Sequence, residues 1–451
     1  VRLSAFWILL SIAVLAASAA PPTEYSEAAQ RGYDNLTKKA YVPGTWTRQA
    51  YDNAWKRWPN QKEKPANYDE AFREHYGLHP APYPNNGLPM GLKETKPFLG
   101  RTLTLDCLIC HGGSIFGHSH LGMGNHSLDI QALFEDLSIA DGIPYRSPFP
   151  FTQVRGTTEA AAMAVYLLGR RNPDLTLRLK PIDLGLNADL CENAPAWWLL
   201  KKKRTMYQTG GADQRSVRSI MQFMMSPITP AHAFAEAEPD FVDIREFILS
   251  MEPPKYPYPI DQTLAEQGKV LFGAHCANCH GTYGPDGKYP NKVIPLDEIG
   301  TDRRRYEGLE DRFGLYYDQT WFAREKEGWL ANGYQATATE GYQAPPLDGI
   351  WATAPYFHNG SAPTLYHVLN SSARPAVFTR SYRTDEASFD RKWVGWRVEE
   401  LAGPADPTRP ALDRRRVYDT RQPGRGNSGH SFGDVLTDAE RLAIIEFMKG
   451  L

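Results

Sequence analysis

Apolar positions in this chain fall into a few short blocks, separated by long polar stretches punctuated with Pro and Gly. The first block, Ala5 to Ala17, follows a positive Arg2 and ends in Ala17-Ser18-Ala19. Its apolar core is shorter than the ~20 residues that span a bilayer, and the small residues form an A-x-A cleavage site. Residues 1–19 therefore read as a signal peptide, with an uncleaved N-terminal anchor as the other reading. No later segment is apolar enough to cross a membrane, so the expected location is periplasmic or secreted. Residues 20–60 are polar with scattered aromatics and Pro, which predicts an extended arm wrapped on the body. Helical spacing appears over Ala160–Leu168 and Phe241–Met251, where Phe241, Ile244, Phe247, Ile248 and Met251 share a face. Pro253, Pro254, Pro257 and Pro259 stop the second helix and predict a stiff linker at 253–261. Asp261 predicts an N-cap for a helix over Leu264–Phe272. A last helix, Asp438–Lys449, carries Leu442, Ile445, Phe447 and Met448. The expected fold is mainly α, in two units at 20–252 and 262–451, with long irregular loops and few short strands.

Composition narrows the choice. A chain of 451 residues exceeds the roughly 150-residue prior for one domain. Lys+Arg 50 against Asp+Glu 52 leaves no basic excess, which argues against a nucleic-acid partner. Aromatics at 12%, with 37 Gly and 35 Pro, predict loop-rich walls rather than a regular bundle.

The cysteines carry the chemistry. Cys107-Leu108-Ile109-Cys110-His111 and Cys276-Ala277-Asn278-Cys279-His280 are two C-x-x-C-H motifs. Two thiols at this spacing can each form a thioether with a haem vinyl group, and the adjacent His offers its imidazole to the iron. A zinc site would need two such pairs close together, and a redox C-x-x-C needs no trailing His. The chain thus reads as an exported c-type cytochrome with two covalently attached haems, one per unit. Each unit is expected to be cytochrome c-like, the first including the wrapping arm. Cys191 is left without a partner and reads as a small buried hydrophobe.

The remaining axial position on each iron decides what such a protein can do. Two strong protein ligands on both irons give electron transfer only; an open position can take oxygen or peroxide. His430 lies in Gly426-Asn427-Ser428-Gly429-His430, a turn just before the closing helix, where it could fold over a haem or simply face solvent. His126 follows His111 closely enough to reach the same haem, in competition with His118, His120 and Met123. The first haem's second ligand stays open on these grounds.

Further along, Gly341–Leu369 contains Gly-Tyr-Gln-Ala-Pro-Pro-Leu-Asp-Gly-Ile-Trp-Ala-Thr-Ala-Pro-Tyr-Phe-His-Asn-Gly. It resembles a segment of the bacterial di-haem cytochrome c peroxidase superfamily, closest to the rubber-oxygenase-like branch. Ile299-Gly300-Thr301-Asp302, Arg374-Pro375 and Asn427-Ser428-Gly429-His430 support that resemblance. The resemblance implies a bis-His second haem on His280 and His430, and an active first haem on His111. It implies an apolar distal pocket containing a Phe, for which Phe223 and Phe234 are candidates, and an inter-haem Trp at Trp197 or Trp198. Calcium between the domains occurs in relatives, although no carboxylate cluster here demands it. A ligand at His126 would depart from the oxygenase pattern and close the first site at rest. His358 reads as a propionate or outer contact rather than an axial ligand. Arg303, Arg304 and Arg305 are further propionate partners. Lys201-Lys202-Lys203-Arg204 reads as a solvated face or as a docking patch for a small electron-donor protein.

Three functions remain. The first is an oxygenase using O2 on an apolar alkene, as the resemblance implies. The second is a hydrogen-peroxide reductase, which needs a distal proton donor, for which Glu135 and Glu159 are candidates. The third is a non-enzymatic electron carrier, disfavoured because the chain is far longer than that task needs. The oxygenase-like reading leads.

Overall fold

The computed structural model describes residues 25–143, 147–325, 333–337 and 339–451. The expected signal peptide, residues 1–19, lies outside the described residues. Five helices carry the architecture: α1 (Glu27–Lys38), α2 (Ala160–Leu168), α3 (His232–Ser250), α4 (Gln262–His275) and α5 (Asp438–Lys449). Among the described residues, strands are short and gather only in sheets of two or three, the largest joining Val377–Thr379 to Glu399–Glu400 and Val417–Asp419. None of the described helices is long and apolar enough to cross a membrane.

Local chemistry explains the helix limits. α2 and α5 coincide with the spans expected from the sequence. α5 opens with a capping box in which the Thr437 and Glu440 side chains satisfy each other's backbone N–H. Asp261 caps α4 through the Leu264 N–H, and α4 runs straight into Cys276. α3 begins earlier than its apolar stripe suggested and contains Pro239 in its first half. From Met251 to Asp261 the chain has no regular structure, as the prolines require.

The stretch expected as an extended arm is instead helical. Ser26 accepts from the Ala29 N–H to cap α1, whose Ala29, Gly32 and Leu36 form a buried stripe. The arm does wrap: α1 lies along α3, with Arg31 bidentate on Asp243 at 2.8 Å and Lys39 on Asp240 at 2.8 Å. The polar residues that hid the helix are those that bind α3.

The two long helix pairs close in the same way. A Cβ on Gly32 of α1 would sit 2.0 Å from the Asp243 carbonyl oxygen of α3. A Cβ on Gly268 of α4 would sit 1.9 Å from the Ala443 carbonyl oxygen of α5. One apolar cluster continues across both halves, joining Trp198 and Phe247 to Trp351, Phe389 and Ile444, so the two units share a core. Replacing Gly268 by Val should separate α4 from α5 and cost about 1–3 kcal/mol, as overpacking does. A lowered urea midpoint for Gly268→Val checks this; an unchanged midpoint would show the pair tolerates the wider spacing.

Candidate haem-binding site

Each C-x-x-C-H motif forms one helical turn, Leu108–His111 in the first case and Ala277–His280 in the second. All four motif thiols are free rather than paired in disulfides, as thioether formation requires. A strand, Arg101–Leu105, leads into the first motif, whereas α4 leads into the second.

The imidazoles are aimed by main-chain carbonyls. His111 Nδ1 lies 3.1 Å from the Pro195 oxygen, and His280 Nδ1 lies 2.8 Å from the Pro345 oxygen. Donating Nδ1–H to a carbonyl fixes the tautomer and leaves Nε2 as the free ligand. Burial, opposed by these hydrogen bonds, pushes His111 down to about 4 and lowers His280, so both are neutral at pH 7. The two proline loops repeat a pattern: Asn193-Ala194-Pro195 and Gln343-Ala344-Pro345. Three residues after Pro195, Trp198 donates its indole N–H to the oxygen of Asp348, three residues after Pro345, at 2.8 Å. Hydrogen bonds and backbone therefore connect one motif histidine to the other through Trp198, which is 1% exposed. Trp197 takes a different place, stacked on His111 with centroids 4.8 Å apart.

The second motif has an imidazole opposite it. The His280 and His430 rings lie 6.2 Å apart, inclined at 53°. Two imidazoles sharing one metal at bonds of about 2.0 Å, with ring centres about 1.1 Å further out, would be about 6.2 Å apart. The residues present thus fit a haem iron between them. Burial, reinforced by His280 and Arg374, pushes His430 down to about 4, leaving it neutral. The loop that places it is built by the segments that carried the resemblance. His430 N–H donates to the Ile299 oxygen at 2.7 Å, and Gly426 N–H to Asp302 at 2.9 Å. Gly429 has φ +70, and a Cβ there would lie 2.1 Å from the Gly300 carbonyl carbon. Arg374 donates to the carbonyls of Asn427, Gly429 and His430 at 2.6, 2.7 and 3.1 Å. It also lies over the ring of Phe357, itself beside His430.

Among the described residues, His111 has no second imidazole facing it in this way. His126 is committed elsewhere: its Nδ1 lies 2.7 Å from the Ala354 oxygen and its Nε2 3.1 Å from the Ala194 oxygen. Both ring nitrogens thus face main-chain carbonyls rather than an open haem face; burial lowers the pKa to about 4, so the neutral ring donates to one of the two. His126 instead braces the Ala194-Pro195 loop from behind, the loop that aims His111. Met123 is 2% exposed within the core. His118 and His120 lie on the strand His118–Leu121, paired with Gly112–Ile115.

The other candidates spread around these two centres. Phe234 is 1% exposed and packs on Trp321 and Phe322, with the Arg171 guanidinium over its ring. Phe223 is half-buried against Phe241. His358 stacks on Tyr342 with centroids 4.1 Å apart, and its buried Nε2 has no hydrogen-bond partner. Arg305 pairs with Glu192 at 2.7 Å, while its Nη1 is also buried without a partner. The unpaired Arg305 Nη1 suits an acidic acceptor such as a propionate, and His358 Nε2 suits it in the tautomer that carries the proton there. Arg303 and Arg304 instead pair with Asp297 and Glu307, and with Asp189. Lys201 and Lys202 bind Glu252 and Asp348, which neutralises much of the expected docking patch. Cys191 is fully buried, its thiol pushed up to about 12 by burial. No group of three or more His, Cys, Asp or Glu among the described residues is arranged to hold a metal ion, so calcium has no ready carboxylate cluster there.

Tyr207 was not evident from the sequence. It has φ +68 and is 43% exposed, yet burial raises its phenol far above the usual range. Gln222 donates to its oxygen at 2.8 Å.

Comparison with known proteins agrees with this chemistry. Residues 341–379, which include the Pro345 loop and His358, match a family model described as RoxA-like, cytochrome c-like. This segment is therefore cytochrome c-like, and the match points to a haem-dependent oxidoreductase. Two curated proteins of Sinorhizobium fredii are similar. Uncharacterized protein y4iM is 31% identical over 208 residues, covering 42% of this chain and 45% of the relative. Uncharacterized protein y4iJ is 27% identical over 264 residues, covering 45% of this chain and 41% of the relative. The chain thus spans less than half the length of either relative in these matches.

Glu159 yields a prediction. It is 1% exposed, and burial, opposed by the Leu190 N–H, raises its pKa to about 9. Because its folded pKa lies above the unfolded value, stability is lost as pH rises from about 4.5 towards 9. Glu159→Gln should remove that penalty, gaining on the order of 2–3 kcal/mol at pH 7 and little at pH 4.5. Urea unfolding at both pH values tests this, and an equal effect at the two would show that the carboxyl is not held neutral. Glu159 is thus a protonated acid at neutral pH; Glu135, on the helix Ile130–Ala140, accepts from Gln131 at 2.6 Å.

Proposed function

We propose that this chain is an exported di-haem c-type cytochrome oxidoreductase. Its first haem, on Cys107, Cys110 and His111, is the O2-reactive centre, and its second, on Cys276, Cys279, His280 and His430, transfers electrons. The observation that carries this reading is the asymmetry of the two motifs: among the described residues His280 has His430 opposite, and His111 has no such partner. When bound, the haems supply the redox chemistry at iron. The protein's own residues do the rest. Pro195 and Pro345 aim the proximal imidazoles and hold their tautomers. Arg374 and the Ile299–Asp302 turn hold His430 in place. Trp198 links the two proximal loops by a short covalent and hydrogen-bonded route for electrons. Arg305, and His358 in the tautomer protonated at Nε2, hold unpaired donors for propionates.

The proposed substrate is an apolar alkene cleaved with O2, by similarity to the rubber-oxygenase-like branch. Phe223, half-buried against Phe241, is the proposed apolar contact for such a substrate, whereas Phe234 is taken up by packing on Trp321 and Phe322. Peroxide reduction is the alternative. It would use Glu159, held neutral, as a proton source, and would draw electrons from a small donor protein through the second haem.

Product analysis with the holoprotein and a polyisoprenoid tests the substrate class. The expected result is O2 consumption and carbonyl-ended fragments without added reductant. Peroxide turnover with a reduced donor, and no O2-dependent cleavage, would overturn the oxygenase reading in favour of the reductase. Arg374→Met should weaken His430 ligation without touching the first haem. A visible spectrum showing the second haem partly five-coordinate checks this, and a wild-type spectrum would remove Arg374 from the account.

A further inference from the structure

We propose that Arg155, Arg380 and Tyr382 wall a buried site for one small monovalent anion of the chloride class. The cavity lining includes none of the haem-motif residues, and Arg380 joins it to the His126 carbonyl. The cavity is lined by both guanidinium groups together with Gly156, Thr157, Tyr382 and Trp396, and leaves about 10 Å³ for the centre of a water-sized sphere. That is room for one small ion or one water, and too little for phosphate or a larger organic acid.

The charge count around it is unbalanced. Arg155 is 4% exposed and Arg380 9% exposed. Arg155 donates to the carbonyls of Ser127 and Glu74 at 2.8 and 2.6 Å, and Arg380 donates to the carbonyl of His126. All these acceptors are neutral. Arg380 Nη1 is buried with no hydrogen-bond partner at all. Three guanidinium groups approach the single ring of Tyr382: Arg380 at 4.4 Å, Arg155 at 5.3 Å and Arg416 at 5.5 Å. Arg416 itself donates to the Ser381 carbonyl at 3.1 Å.

The neighbouring anionic group is already engaged. Asp129 accepts from the Ala132 N–H with one oxygen and from Arg415 with the other, both near 2.8 Å. The Tyr382 phenol donates to the Arg416 carbonyl at 3.1 Å, and the Trp396 indole donates to the Ala354 carbonyl. Burial pushes both Arg155 and Arg380 down to about 10, so each remains charged at neutral pH. Buried cations with only neutral acceptors are costly unless a counter-charge is close. A water molecule would satisfy Nη1 as a hydrogen-bond acceptor and would leave the charge uncompensated. A small anion does both. Because Arg380 also holds the His126 carbonyl, and His126 braces the Ala194-Pro195 loop, the bound ion would stiffen the support of His111.

Crystals of the holoprotein, grown without chloride and transferred to sodium bromide, test the site by anomalous scattering at the bromine edge. The expected result is a peak beside Arg380 Nη1 in the wild type and none there in Arg380→Met. In solution, 0.1 M sodium chloride should raise the wild-type thermal midpoint by about 2 °C or more over sodium gluconate at equal ionic strength. The wild-type measurements decide the matter even if the variant does not fold. Water density or a haem propionate at that position, or a midpoint equal in chloride and gluconate, would overturn the proposal.

Discussion

An imidazole can serve a metal only if the protein fixes which nitrogen faces it, and here the carbonyls of Pro195 and Pro345 do so. Much of the architecture supports those two hydrogen bonds. Trp198 fastens one proline loop to the other. His126 presses on the first from behind, and the packing of α4 on α5 brings the second motif to its place. Desolvation keeps both proximal imidazoles neutral, and the two carbonyl hydrogen bonds oppose it. The shared apolar core holds the two loops together and so keeps the Trp198–Asp348 bond in register.

Within this common frame the two motifs differ at one point. The chain spends Arg374, the Ile299–Asp302 turn and a glycine in a left-handed conformation on setting His430 opposite His280. No such device serves His111 among the described residues, and His126, which interacts with it electrostatically, has both nitrogens turned to carbonyls. That asymmetry is what the proposed pairing of an electron-transfer haem with a reactive haem requires.

The sequence was most legible where chemistry is local. The Cys-x-x-Cys-His spacing, the Asp261 cap and the apolar stripe of Asp438–Lys449 each announce themselves within a few residues. The arm at 20–60 misled because its helix buries a narrow stripe of Ala, Gly and Leu, while its many polar residues bind α3. The proline carbonyls were hidden for a different reason: a main-chain acceptor has no side-chain signature. The one available clue was the repeated amide-Ala-Pro at 193–195 and 343–345. His126 looked like a ligand because sequence distance says nothing of which way a ring nitrogen points. Arg374 acts through long-range contacts to the His430 loop that no spacing rule encodes.

The most direct measurement is the electron paramagnetic resonance spectrum of the as-isolated holoprotein, beside His430→Ala and His126→Ala. The account predicts one low-spin bis-imidazole signal, lost in His430→Ala and kept in His126→Ala, with a second centre that is not bis-imidazole. Two low-spin bis-imidazole signals in the wild type, one of them lost in His126→Ala, would contradict it and mean that both irons are closed at rest.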